Sequence, residues 1–435
     1  MLFPNSRRTL LPVCGRRYVQ TPGVLWSRDF FAPIRIIPTQ KKPIFTDENK
    51  NAMSARVLVF WACCAGMLLF GMSAITLGAM AQPLQERFGL DGVGAGTLFS
   101  ILPIGILAGS IFFGPISDRY GFRYLLSGAA VAMGLGFEGI ALTHSMPLLY
   151  GSIFLFGFGG GILNGATSAV VNDISTGNKG ANLSLLGVFF GVGGLGMPML
   201  LALLERWFAP FAILGAVGAG AILIGMLYLL VPFPGGKTAG MPLSMNLSHL
   251  FKPLLLFVSF FLFFQSGMEG LINNWSTTFL TRPGGVSEAD ALFGLSFYMF
   301  GMTVMRLLVG SVLRTVSRVG LMWTGLGLVA LGLIAVQQSG PKELIWAGLF
   351  LAGSGLALGF PVLLGFVGEQ FADASGAAFS FAFSVALVGN MLFNYSLGYL
   401  VDSFGISQYV FAVWIALLFM GVMLFFIQKQ VRPHS

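Results

Sequence analysis

One carboxylate in the second half of the chain stands where charge is expensive. Glu269 lies in Gln265-Ser266-Gly267-Met268-Glu269-Gly270-Leu271-Ile272-Asn273-Asn274-Trp275, near the middle of an otherwise apolar stretch over 253–280. At the centre of a membrane helix a charged side chain costs about 2.5–3.5 kcal/mol on insertion scales, so it faces a bundle interior or a water-filled cavity. Gln265, Glu269 and Asn273 are spaced i, i+4, i+8 and share one helical face. Carboxylate and amide groups in that stripe suit the hydroxyls of a small polar solute. Asn274 and Trp275 lie beside it, and the indole offers a ring face on which a pyranose can stack. The alternative is a protonated Glu269 bonded to a neighbouring helix as polar glue. A second set of polar positions comprises Asn390 and Asn394, spaced i, i+4 in 376–400, Tyr298, two turns before Arg306 in 289–312, and Asn164 in 147–172. For these, inter-helix hydrogen bonding and ligand contact stay equally open. Glu138, in 124–143, is a second carboxyl inside an apolar stretch. Glu269 and Glu138 are the candidates to carry a coupled proton. Arg306 lies within about a turn of the end of its stretch and can snorkel.

These residues need a scaffold that is not a water-soluble one. Of 435 residues 56% are hydrophobic and only 9% charged, against about 25% charged in ordinary soluble domains. The formal charge of +8 is concentrated: residues 1–52 hold nine Lys/Arg against three Asp/Glu, and 53–435 hold fifteen against thirteen. The basic character belongs mostly to a leader, and no nucleic-acid partner is expected. That leader (1–52) contains six prolines and lacks an apolar run fit for a signal peptide. It reads as upstream of a true start at Met53, as a disordered tail, or as an organelle transit peptide.

Twelve stretches reach the roughly 20 apolar residues a membrane helix needs: 57–82, 94–116, 124–143, 147–172, 182–204, 207–231, 253–280, 289–312, 320–338, 343–367, 376–400 and 405–428. Placing both termini in the cytoplasm puts ten of the Lys/Arg beyond residue 52 inside and only Arg87, Arg206, Arg282 and Lys342 outside, as the positive-inside rule requires. A longer connection over 232–252 divides a first six-helix bundle (53–231) from a second (253–435). Gly157 and Gly353, Gly114 and Gly310, and Gly71 and Gly267 all pair at an offset of 196 residues. A parallel six-span duplication is one of the repeat plans of secondary transporters, with the ligand near mid-membrane. The expected fold is therefore all-α: a membrane protein of twelve transmembrane helices in two pseudo-symmetric six-helix bundles.

Between the second and third stretches the chain reads Gly114-Pro115-Ile116-Ser117-Asp118-Arg119-Tyr120-Gly121-Phe122-Arg123. This resembles the G-x-x-x-D-R-x-G-R/K signature of the major facilitator superfamily. Gly114 permits close helix approach and Gly121 a tight turn. The resemblance implies a cytoplasmic gate in which Asp118, Arg119 and Arg123 latch the closed inner side. The second-half copy has Arg314 where the first has Asp118, and is degenerate. The run Gly187-Val188-Phe189-Phe190-Gly191-Val192-Gly193-Gly194-Leu195-Gly196-Met197-Pro198, the Glu269…Asn274-Trp275 pattern and Arg306 near Gly310 resemble the fucose/glucose/galactose permease branch. The proton-coupled members of that branch carry an Asp in the first span and a Glu in the fourth. Here those positions fall near Ala79 and at Asn164, neither ionisable. Facilitated diffusion, sodium coupling and a relocated proton site all survive.

The resemblance implies a secondary active or facilitative carrier, most simply of a monosaccharide, working as a monomer by alternating access in the plasma membrane (the inner membrane in a bacterium). The alternative is a carrier of another organic metabolite or a drug. No cofactor or metal is expected. His144, His249 and His434 lie at span ends or in loops, and neither H-E-x-x-H nor G-x-x-x-x-G-K-[ST] occurs, so an enzyme is not expected. Cys14, Cys63 and Cys64 offer no disulfide framework.

Overall fold

A computed structural model of the chain describes residues 47–175, 179–235, 252–282, 285–311, 317–338, 340–370 and 375–431. The chain separates into Met1–Lys50 and Asn51–Ser435, and the second unit carries the membrane-spanning helices. The leader up to residue 46 and most of the 232–252 connection lie outside the described residues.

Among the described residues all regular structure is helical. The first half comprises α1 (Asp47–Ala79), α2 (Ala81–Phe88), α3 (Gly92–Tyr120), α4 (Phe122–Leu142), α5 (Met146–Ile174), α6 (Lys179–Leu204) and α7 (Pro210–Tyr228). The second comprises α8 (Pro253–Thr281), α9 (Glu288–Ser311), α10 (Arg318–Gln337), α11 (Lys342–Leu356), α12 (Gly359–Gln370), α13 (Ser375–Phe404) and α14 (Gln408–Val431). Within them lie twelve segments long and apolar enough to cross a membrane, within a few residues of the positions the hydropathy pattern predicts. Two features escape that pattern. The first span stops at Met80 and continues as the short α2, and the tenth is broken between Leu356 and Gly359.

Local chemistry sets the ends. Asp91 caps α3 by accepting from the Gly94 N–H at 2.6 Å, and Ser317 caps α10 by accepting from the Gly320 N–H at 3.2 Å. Pro198 lies inside α6, which membrane helices tolerate because neighbours re-satisfy the freed backbone. Large apolar side chains such as Leu142, Leu230 and Leu418 are exposed, as a surface solvated by lipid tails demands.

Glycine sets the helix spacing, and it does so twice. In the first half a Cβ on Gly157 of α5 would collide with the Leu102 carbonyl of α3, and one on Gly105 with the Phe154 carbonyl. In the second half Gly353 of α11 faces the Tyr298 carbonyl of α9, and Gly301 faces the Phe350 carbonyl. Adding 196 converts all four residues of the first pair of contacts into the four of the second. The duplication seen in the sequence is thus a duplication of backbone contacts, down to the carbonyl approached. The halves meet along α3 with α13 and α6 with α9.

Candidate functional site

Glu269 lies at mid-length in α8 and keeps some accessible surface. Its Oε1 accepts from Gln265 Nε2 at 2.8 Å, the i, i+4 partner the stripe predicts. The same Nε2 donates to the Leu356 carbonyl at 2.8 Å. Leu356 ends α11, where the last carbonyls of a helix lack intrahelical partners. The break in the tenth span therefore anchors the residue that positions Glu269. Gly359, just past the break, leaves room for Gln265, since a Cβ there would strike the Gln265 amide. Asn273, one turn further along the stripe, is half-buried with an Oδ1 that has no hydrogen-bond partner. Its carbonyl lies against Gly78 of α1.

The other predicted residues of α8 and α13 join one network. Asn394 Oδ1 accepts from Asn274 Nδ2 at 3.1 Å and from Trp275 Nε1 at 3.2 Å. Asn394 Nδ2 donates to Asn390 Oδ1 at 3.0 Å, and Asn390 Nδ2 donates to the Ser266 carbonyl at 2.8 Å. Gly270 makes the space, because a Cβ there would meet both Asn390 and Asn394. Trp275 is 1% exposed, edge-on to Phe99 of α3 at 5.3 Å. In this conformation its ring is packing between the halves and is not presented to a solute.

Tyr298 is fully buried with an unpartnered hydroxyl, in electrostatic reach of Glu269 and Arg306. Arg306, which can snorkel by its position in the sequence, instead turns inward: its guanidinium lies over the Phe190 ring of α6, 5.4 Å from the centroid. The Phe190 ring in turn packs 5.3 Å from Phe70 of α1. Arg306 is thus a cation within an apolar span, two turns from Tyr298.

Two predicted residues sit elsewhere. Asn164 is half-buried on α5, which packs chiefly on α3 and α4. The Glu138 carboxylate lies over Gly215 and Gly218 of α7, its oxygens 3.4 and 3.1 Å from where a Cβ would stand. It occupies the α4–α7 interface, apart from the Glu269 stripe. In the predicted gate, Gly121 has φ +77° and joins α3 directly to α4, the turn for which glycine is suited. Arg119 is exposed over the Tyr120 ring, and Arg123 donates to the Leu229 carbonyl. The side chain of Asp118 and the surroundings of Gly114 lie outside the described residues.

Hydrogen bonds between the halves gather toward the side carrying the α2 end of the first span. The Gly92 and Val93 N–H groups donate to the Asp402 carboxylate at 2.5 and 2.8 Å, Arg282 donates to Gln85, and Thr277 Oγ1 donates to the Gly78 carbonyl at 2.9 Å. One layer deeper, Ser100 Oγ donates to the Met391 carbonyl at 2.9 Å and Ser296 Oγ to the Leu195 carbonyl at 3.4 Å. Those two bonds are again related by 196.

Comparison with known proteins places this arrangement. The profile described as Major Facilitator Superfamily matches residues 62–336. The inner membrane transport protein YdiN of Escherichia coli K12 is 26% identical, covering 81% of this chain and 88% of its own length. The 3-(3-hydroxy-phenyl)propionate transporter of the same organism is 26% identical over 71% of this chain and 79% of its own. The glucose/mannose transporter GlcP of Bacillus subtilis 168 is 24% identical over 68% and 76%. The crystal structure of a mutant of the nucleoside transporter NupG superposes with a TM-score of 0.70 at 15% identity, over 87% of this chain and all of that one, a likeness of fold alone. With twelve apolar helices, an internal six-span duplication and a family match over most of its length, this multi-pass membrane chain belongs to the Major Facilitator Superfamily of transporters.

Proposed function

We propose that the chain moves a small polar solute, with a monosaccharide the favoured class, by alternating access of two six-helix halves (53–231 and 253–435, joined by 232–252) with both termini cytoplasmic. The observation that carries this reading is Glu269: a mid-membrane carboxylate that keeps some accessible surface, held by Gln265 and followed on the same face by an unpartnered Asn273 oxygen. Hydroxyl-bearing solutes supply the donors and acceptors such a stripe lacks. The similarity to a glucose/mannose transporter and the motifs shared with the fucose/glucose/galactose permease branch support a sugar. The similarity to a 3-(3-hydroxy-phenyl)propionate transporter favours an aromatic acid as the second reading.

The bonds around Asp402 and Thr277 fit a conformation closed on the non-cytoplasmic side. Asp118 with Arg119 and Arg123 would then latch the opposite side when that one closes. Counterflow of labelled hexoses in proteoliposomes, with and without sodium, tests the reading. Wild type is expected to exchange at least one hexose, Glu269→Gln to lose that exchange about tenfold or more, and Asp118→Asn to slow it with normal insertion. A wild type that exchanges no hexose but does exchange an aromatic acid would replace the first reading by the second.

A further inference from the structure

Arg306 and Glu269 are opposite charges at one site that do not touch. From the side bearing Arg282 and Glu288, Glu269 lies twelve residues before Thr281 on α8 and Arg306 eighteen residues after Glu288 on α9. At 1.5 Å per residue their depths differ by on the order of 9 Å. They act on one another through the field, but among the described residues no carboxylate comes within 4 Å of the guanidinium. The contact Arg306 does make is the face of Phe190, which attracts a cation without using its N–H donors. Within electrostatic reach of both charges lies Tyr298, fully buried, its hydroxyl without a partner.

A guanidinium inside a membrane span is normally paired, since its desolvation is costly and its planar fork matches a carboxylate bidentately. Here the fork lies over Phe190, the resident carboxylate is held a turn and more away by Gln265, and the Tyr298 hydroxyl, two turns before Arg306 on α9, is unused. We infer that Arg306 is the anion-binding element of the central site, and that the transported solute carries a carboxylate at the Arg306 end and hydroxyls at the Glu269 end. Its length keeps the two negative groups apart. A six-carbon sugar acid fits this description, as does a hydroxylated aromatic acid; a neutral hexose leaves the guanidinium unpaired. This inference rests on the reading that the solute occupies the Glu269 stripe.

The test is thermal stabilisation of the purified full chain by D-glucuronate, D-glucose and 4-hydroxyphenylacetate, in wild type, Arg306→Gln and Arg306→Lys. Glucuronate is expected to stabilise wild type at concentrations about tenfold or more below glucose. Arg306→Gln should raise the glucuronate requirement by about the same factor and leave that for glucose within about twofold, and Arg306→Lys should fall between. Equal stabilisation of wild type by glucose and glucuronate would overturn the anion site and leave the sugar reading standing. So would an Arg306→Gln defect shared equally by both ligands, which marks a structural arginine. Stabilisation by 4-hydroxyphenylacetate alone, dependent on Arg306, would uphold the anion site and end the sugar reading. A wild type that none of the three stabilises would count against both.

Discussion

The two halves of this transporter share a skeleton and differ in chemistry. Glycine-to-carbonyl contacts recur at the same offset in both, from Gly157 on Leu102 to Gly353 on Tyr298. The polar groups around Glu269 do not recur. Subtracting 196 from Gln265, Glu269, Asn273, Tyr298 and Arg306 gives Leu69, Ser73, Leu77, Leu102 and Ser110. Asn390 and Asn394 become Gly194 and Pro198. The backbone pays for its close approaches with glycine in both halves, whereas Glu269 and Arg306 have no charged counterpart at the related positions of the first half. Under the proposed alternating access, two matched rigid bodies and one set of binding groups are separate demands, and the sequence separates them.

The sharpest way to break the comparison is to attack the shared skeleton. Gly157→Ala and Gly353→Ala each drive a Cβ into a backbone carbonyl, which no rotamer change relieves. Both are expected to destabilise by about 3 kcal/mol, the upper end of overpacking, read as equal losses of monodisperse protein and of Tm. A large difference between the two would mean that the halves are not equivalent scaffolds. Next comes the chemistry that is not shared. Glu269→Gln should cut gradient-driven accumulation of substrate about tenfold or more, and Ser73→Ala, at the corresponding place in the first half, should stay within about twofold. Comparable losses from both would place binding groups in each half.

What the sequence discloses of this division follows from the physics of each signal. Spans are legible because lipid demands long apolar runs, and the offset of 196 is legible because a glycine at a close approach cannot drift to another residue type. Glu269 is legible because charge at mid-membrane has few uses. The break at Ala357-Leu358 leaves a trace in the sequence, since Pro361 has no N–H for the Ala357 carbonyl and Gly359 follows the break, but its role does not: only the bond from Gln265 to the orphaned Leu356 carbonyl reveals it. Trp275 and Asn394 each look like ligand groups when read alone. Only the fold shows the indole N–H given to the asparagine and the ring given to Phe99. Glu138 is polar and intramembrane by sequence, but which interface its face meets depends on α7, far along the chain.

The seam between the halves is also asymmetric at its outermost layer. Asp402 closes two N–H groups at the start of α3, where a carboxylate also meets the favourable end of the helix dipole. The position related to Asp402 by the offset is Arg206, which cannot cap a helix N-terminus. Asp402→Asn keeps the shape and removes the charge, and should weaken the seam by about 1 kcal/mol, roughly a fivefold shift of population toward conformers separated on that side. Double electron–electron resonance between nitroxides on Leu90→Cys and Ser407→Cys would show it as growth of a longer distance. An unchanged distance distribution would mean that α3 and α13 are held together by packing alone.

One layer in, the symmetry returns, and it allows the finest test. Ser100 donates to the Met391 carbonyl and Ser296 to the Leu195 carbonyl, residues exchanged by the offset of 196. The Ser100 bond is 2.9 Å, and this hydroxyl also lies 2.7 Å from the Gly96 carbonyl; the Ser296 bond is 3.4 Å. Ser100→Ala should therefore cost about 0.5–1 kcal/mol and Ser296→Ala less, both within the range of a single neutral hydrogen bond. Because the bonds lie on the two related seams, α3 with α13 and α6 with α9, the double variant should show the sum of the single effects within about 0.5 kcal/mol. The readout is the same nitroxide distance distribution. Strong non-additivity would mean that the two seams open together as one cooperative element. Additivity would mean that each seam yields independently.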